Sequence, residues 1–378
     1  MKRRALPFAL TTAGFGAVAS VCAFLACEDP HLRTEPGQGN PVTGCSVKAG
    51  ETPPATCDDS DGECDGTGGC TINEAKCGSA NTCLPMADNK GKDVLDFRIR
   101  RLNVATPDAL KSKVIRDGVL TNAINLGTKE CSDKSGTGDF TWLVRVDKKA
   151  GTLTTGGAAL STDIFGLGYC FANTTVGALR VEPAVFPITF QGNTFGSTTN
   201  QRLNVPIFSS ITPDVIILPL SDVKVAGVTL SEEGNCIGKF RKTALGADCS
   251  ENADSCSKWQ TAGALSGYIT LEDADLVLIP QTSSSLCTLL TQSTKGADNK
   301  CQRQNGVIVP KGDYCSKDKK PGSCQDSVWL AATFAAAAVH INDGTGVPQC
   351  APLPAGDGGT DAAVSDAGTD APNDAPAE

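Results

Sequence analysis

Histidine and the aromatic residues are scarce in this chain: of 378 residues two are His, three Trp and three Tyr, and aromatics make up 5%. His31 lies in a Pro/Gly-rich stretch, so a folded core holds at most one imidazole, His340. That excludes multi-His metal centres and leaves one candidate base for Ser-His or Cys-His chemistry. His340 sits inside an apolar run, where a satisfied core residue is the commoner outcome. No Cys-x-x-Cys occurs, which argues against a zinc ribbon and a thioredoxin-like redox site. Gly-x-Ser-x-Gly, phosphate-loop and dinucleotide fingerprints are missing as well, and Gly166-Leu167-Gly168 lacks both the third glycine and a strand–helix context. The chain has instead 40 Gly, 18 Cys and 40% hydrophobic residues. It is too apolar to be wholly disordered and long enough for one large domain or two modest ones. No motif names a reaction; the residues speak to address, covalent architecture and fold class.

Met1-Lys2-Arg3-Arg4 followed by the mostly apolar run Ala5–Ala26 reads as a secretory signal over 1–26. A membrane-spanning anchor is the alternative on length, but Pro7, Thr11, Thr12, Gly14 and Gly16 interrupt it. The run ends Phe24-Leu25-Ala26-Cys27 before Glu28-Asp29-Pro30, which resembles the lipobox of bacterial lipoproteins and implies lipidation of Cys27. It departs from that pattern in having Phe three positions before the cysteine. An ordinary cleaved signal, with Cys27 a further disulfide partner, is the competing reading. Cysteine parity favours lipid: with Cys22 lost with the signal and Cys27 assigned to the anchor, an even set of candidates for disulfides in an oxidising compartment remains. These are Cys45, Cys57, Cys64, Cys70, Cys77 and Cys83, then Cys131, Cys170, Cys236, Cys249, Cys256, Cys287, Cys301, Cys315, Cys324 and Cys350.

Residues 27–44 read as the lipidated cysteine and a flexible tether. Residues 45–91 form a Cys-rich module that carries too few large apolar residues to hold itself without cross-links. Within it, Asp59, Asp61 and Asp65 surround Gly62 with hard oxygen ligands, as a calcium loop needs. A solvated acidic turn is the plainer account, and calcium is the one cofactor suggested.

Residues 92–350 alternate apolar segments with Gly, Pro and Asn. Leu95, Phe97 and Ile99 alternate with Asp96, Arg98 and Arg100 as in a half-buried strand. Thr106-Pro107-Asp108 predicts a helix start with Thr as N-cap, running to about Arg116. Phe140 to Val146 and Thr152 to Thr154 flank a turn and predict a hairpin. Val185–Phe190, Leu203–Phe208 and Val215–Leu220 read as strands, and Val223–Leu230 with Cys236–Phe240 as a second hairpin. Thr270-Leu271-Glu272-Asp273 fits a capping box, Ser285–Gln292 suggests another short helix, and Val328–Ile341 is read as a buried strand. The fold class is therefore mainly β, a β-sandwich or barrel-like domain with a few short helices, preceded by the small disulfide-rich module. Residues 351–378, built of Ala, Asp, Gly, Pro, Thr and Ser, read as a disordered acidic tail.

The lipobox-like Cys27, the run CTINEAKCGSANTCLP, the FRIRRLNV strand that follows and the Asp/Ala/Gly tail together make the chain similar to uncharacterised exported lipoproteins of myxobacterial type. That resemblance implies an envelope location, on the outer membrane or cell surface, and no particular chemistry. Charge agrees: the formal −9 becomes −12 without Lys2, Arg3 and Arg4, and nearly all of it lies in 27–91 and in the tail from Asp357. Residues 92–356 are close to neutral, so nucleic-acid binding has no electrostatic footprint. The expected function is a lipid-anchored envelope protein with a non-catalytic binding, adhesive or structural role, touching the membrane through its anchor and an envelope polymer or protein through its body. The alternative is a secreted polysaccharide hydrolase using Glu272, Asp273 and Asp275 as paired carboxylates. Favourable placement of acids at a helix N-terminus explains that cluster without catalysis. Trp142, Trp259 and Trp329 offer a sugar platform only if they are not core.

Overall fold

The computed structural model describes residues 47–57, 86–111, 138–158, 167–208, 215–240 and 259–342, with a few positions between 120 and 126 and at 164. Among these residues strands take 52% and helices 9%, and the main sheet curls into a half-barrel. We number its ten principal strands β1 (Val94–Thr106), β2 (Trp142–Asp147), β3 (Thr152–Gly157), β4 (Ala184–Gln191), β5 (Thr194–Ser197), β6 (Gln201–Phe208), β7 (Val215–Ala226), β8 (Val228–Thr229), β9 (Gly263–Thr270) and β10 (Ser327–Ala338). Their order across the sheet is β8-β5-β4-β3-β2-β1-β10-β9-β7-β6, with every pairing antiparallel. The mainly β expectation is met.

The period of two explains which side chains go where. Leu95, Phe97 and Ile99 of β1 join Trp142, Val144 and Val146 of β2 and Leu330, Ala332 and Phe334 of β10 in one apolar interior. The sheet curls far enough for its flanks to meet. Ser197 Oγ of β5 accepts from Val225 N of β7 at 3.0 Å, and a Cβ on Gly157 of β3 would lie 2.2 Å from the Pro206 ring of β6. Glycine at 157 is thus a requirement of close approach.

β1 corrects the half-buried expectation. Arg98 and Arg100, on the face opposite Phe97, are 0% and 5% exposed. The Arg98 guanidinium donates to Ile124 O at 2.6 Å and to Thr141 Oγ1 at 3.3 Å, and lies 5.9 Å from the Tyr169 ring centroid. The outer face of the central strands is covered in part by the segment 47–57. Trp329 Nε1 donates to Glu51 O at 2.8 Å, Thr52 and Ser266 share a 2.6 Å hydroxyl contact, and Thr333 Oγ1 donates to Cys57 O at 2.6 Å. β10 is consequently buried on both faces along all twelve residues, and three of its six outer positions, Ala331, Ala335 and Ala337, are Ala.

Three local expectations change. The strand at Thr106 does not give way to a capped α-helix: Thr106 still pairs with Ala331, and only a single 3-10 turn, Asp108–Leu110, follows, without a side-chain cap. Sheet pairing overrides the Thr-Pro signal, and residues 112–119 of the expected helix lie outside the described residues. The second hairpin reduces to one bridge, Leu230 with Ile237. Gly227, at φ +60°, ends β7 and re-aims the chain, so β8 pairs β5 while Cys236–Ile237 pairs β10. His340 is exposed rather than core, because β10 ends at Ala338. The first hairpin forms as expected between β2 and β3. So do two short helices, α1 (Leu271–Leu276) and α2 (Leu286–Thr291), whose N-caps Thr270 and Ser285 accept from Asp273 N and Thr288 N.

Candidate functional site

A concavity of about 700 Å³ opens at one end of the half-barrel. Four loops build it: the segment before β1 (Asn89, Lys90, Gly91), the β2–β3 turn (Lys148), the β4–β5 turn (Gly192, Asn193) and the loop after β8 (Ser231 to Gly234). Its floor is apolar, from Leu95, Phe190 and Leu230. Its rim carries Lys90 and Lys148 against Glu232 and Glu233. Its volume is in the range of small-ligand sites, but its lining is mostly polar, with Leu95, Phe190 and Leu230 the apolar members.

An asparagine pair ties the segment before β1 to the loop after β8. Asn89 N donates to Asn235 Oδ1 at 2.6 Å, and Asn89 Nδ2 donates to Asp96 O and Gly234 O, each at 3.1 Å. Asn235 Nδ2 reaches Asp88 Oδ1 at 3.0 Å, and Ser231 Oγ accepts from both Asn235 N and Cys236 N. Asn89 and Asn235 are 2% and 6% exposed, so their donors and acceptors are satisfied inside the protein, as burial demands. The Lys90 backbone N–H, then the Asn235 amide, hold the Asp88 carboxyl below the usual carboxylate range. The hydrogen bond to Glu233 raises the Lys90 ammonium, and that ion pair spans 2.9 Å. Lys148 and Glu232, both exposed, form no ion pair among the described residues. The rim therefore presents one free charge of each sign.

This site was not legible from spacing. Asn89 and Asn235 stand 146 positions apart, each in a polar turn sequence that reads as ordinary loop.

The acidic cluster lies elsewhere and is engaged. Asp273 pairs with Arg202 at 3.1 Å. Arg303 joins Glu272 at 2.7 Å and Asp275 at 2.9 Å, contacts that hold its guanidinium charged well above the ordinary pH range. Asp275, 1% exposed, also accepts from Cys301 N at 2.7 Å and Ser285 Oγ at 2.9 Å. All three carboxylates are on or beside one six-residue helix, serving to fasten α1 to α2 and to the Arg303 loop. Trp142, Trp259 and Trp329 are 4%, 3% and 6% exposed, and Trp329 stacks into a buried cluster with Tyr314 and Tyr268.

Of the candidate cysteines, Cys287 bonds Cys301 and Cys315 bonds Cys324. Cys57, Cys170 and Cys236 are also disulfide-bonded. The remaining candidates, with Cys27 and the calcium candidates Asp59, Asp61 and Asp65, lie outside the described residues. No helix among the described residues is long and apolar enough to cross a membrane. No known protein family, no curated protein and no solved structure matches this chain. Any functional reading therefore stands on the geometry above and on the N-terminal sequence.

Proposed function

We propose that this is a lipid-anchored cell-envelope protein, exported by residues 1–26, held by lipid on Cys27, and carrying a non-catalytic binding site in the concavity at the end of the half-barrel. The observation that carries the binding role is the ordered rim: buried Asn89 and Asn235 lock the loops that carry Lys90 and Glu232, and Lys148 joins them from the β2–β3 turn, its backbone N–H held by Asp93 O. A site already ordered before its ligand arrives loses less entropy on binding. Charges of both signs suit a ligand that itself carries amines and carboxylates, and among envelope polymers a peptide-bearing glycan has that chemistry. The hydrolase alternative has less support, since Glu272, Asp273 and Asp275 share one helix and each holds an arginine.

Two measurements test the two halves separately. Cys27→Ser should abolish labelling by a fatty-acid analogue and move the protein from the membrane to the soluble fraction; identical fractionation of wild type and variant would refute the anchor. For the site, the full chain should co-sediment with purified cell-wall sacculi. Lys148→Glu combined with Glu232→Lys should reduce that binding by about tenfold, as the loss of two exposed contacts of about 0.7 kcal/mol each would. Binding that is absent, or unchanged in the double variant, would refute this site and this ligand class.

A further inference from the structure

The two described disulfides differ in a way that bears on reactivity. Cys287 and Cys301 are 0% and 3% exposed, and the Cys301 sulfur is ringed by the hydroxyls of Thr288, Thr291 and Ser293. No thiol in solution reaches either sulfur without local unfolding. The Cys315–Cys324 bond is asymmetric: Cys315 is 0% exposed, whereas Cys324 is exposed on the surface. The Asp318 backbone N–H points at the buried sulfur, 3.4 Å from Cys315 Sγ. The bond closes a short hairpin in which Tyr314–Cys315 pairs with Lys320–Pro321. Exposed Lys317, Lys319 and Lys320 crown it, and among the described residues Lys319 pairs with Asp222 at 2.9 Å while Lys317 and Lys320 pair with no carboxylate. Carboxylates oppose them: Asp318 is exposed in the same turn, and an oxygen of Asp326 lies within 4.8 Å of both sulfurs. Asp326 is exposed and accepts from Ser316 N, Ser316 Oγ and Ser327 Oγ at 2.8, 2.7 and 2.9 Å.

We propose that Cys315–Cys324 is a thiol–disulfide exchange site, attacked at Cys324 by the thiolate of an anionic thiol or dithiol. Exchange requires an incoming thiolate in line with an accessible sulfur and a leaving sulfur that can hold negative charge. Here accessibility selects Cys324, and the Asp318 N–H receives the charge that develops on Cys315. In the first step the thiolate's electron pair forms a bond to Cys324 Sγ. The Cys315–Cys324 bond breaks, and its pair leaves on Cys315 Sγ, which then takes a proton from water. With a dithiol, the second thiolate attacks its own sulfur in that mixed disulfide. Cys324 is released as a thiolate, the dithiol is oxidised to its disulfide and the cysteine pair is left reduced. With a monothiol the reaction rests at the adduct on Cys324. The lysines raise the local concentration of an anionic thiol through their field. This chemistry holds whether or not Cys27 carries lipid.

The test uses the folded full chain, glutathione or dithiothreitol, an alkylating quench and mass spectrometry of the digest. Glutathione should form its adduct on Cys324 and not on Cys315. Under dithiothreitol, Cys315 and Cys324 should become alkylated about tenfold or more before Cys287 and Cys301. Lys317→Glu with Lys320→Glu should slow glutathione several-fold while leaving the rate with neutral mercaptoethanol unchanged. An adduct on Cys315, or equal reduction of the two disulfides, would overturn the proposal. Equal slowing of both thiols would overturn the steering by lysine and point to a disturbed hairpin.

Discussion

The fastening of α1 and α2 by Asp275 can be taken apart one contact at a time. Asp275→Ala strips the acceptor from two buried donors, Cys301 N and Ser285 Oγ. An unsatisfied buried donor costs roughly 1–3 kcal/mol, so the pair sets a loss of about 3–5 kcal/mol. Arg303→Ala removes the ion pairs to Glu272 and Asp275 and the bond to Gly306 O, but leaves both buried donors with their acceptor. The Arg303 side chain is 36% exposed, and solvent screening limits that contribution to about 1 kcal/mol. Asp275→Asn keeps the oxygen that serves both buried donors but turns an amide toward Arg303, for a cost of about 1–2 kcal/mol. The expected order is therefore Asp275→Ala well below Asp275→Asn and Arg303→Ala. Urea unfolding with disulfides intact, read by midpoint at constant slope, measures it. If Arg303→Ala cost as much as Asp275→Ala, the cluster would be held by charge and the hydrogen-bond reasoning would be refuted.

Gly312→Ala should be severe, about 3 kcal/mol or more, because its Cβ would sit 1.8 Å from Ser327 O. Gly192→Ala, at φ +63° in open space, should cost only about 1 kcal/mol; thermal melts of equal depth for the two would contradict the close-approach account. Trp329→Phe keeps the ring in the aromatic cluster but leaves Glu51 O without its indole donor. It should cost about 1 kcal/mol and speed proteolytic nicking within 47–57, and an unchanged cleavage rate there would count against that segment's docking. Burial pushes both Tyr268 and Tyr314 above the usual phenol range. Since the folded state keeps protons the unfolded chain has lost, stability should fall as pH rises past about 10. Ultraviolet titration should find these two phenols ionising only with unfolding, and ionisation at the ordinary phenol value in a still-folded protein would contradict this.

Strand identity was largely legible because the apolar period of two survives in β1, β2 and β6, and both six-residue helices announced themselves through Thr270 and Ser285 as caps. Burial of the second face was not legible. Arg98 and Arg100 read as solvent-facing, and only the three-dimensional meeting of β1 with Tyr169 and Trp259 turns them inward. The Thr106-Pro107 signal failed for a related reason, since pairing with a strand more than 200 residues later outweighed a local cap. The acidic cluster was visible as residues, but its partners Arg202 and Arg303 are remote in sequence. The concavity was invisible because each of its loops is ordinary alone and acquires meaning only against the others.

The pairing of β1 with β10 has a kinetic side. β10 lies between β1 and β9, so the strand at 327–338 fills the centre of a sheet whose other strands are all made earlier. Until it is available, β1 and β9 each present an unpaired ladder, and the interior lacks Leu330, Ala332 and Phe334. Contacts spanning most of the chain are slow to form because loop closure precedes any gain from them. A chain built this way cannot finish its core from the N-terminus forward as it is synthesised. It stays open until nearly its whole length is present, with the flanking ladders of β1 and β9 exposed through most of synthesis.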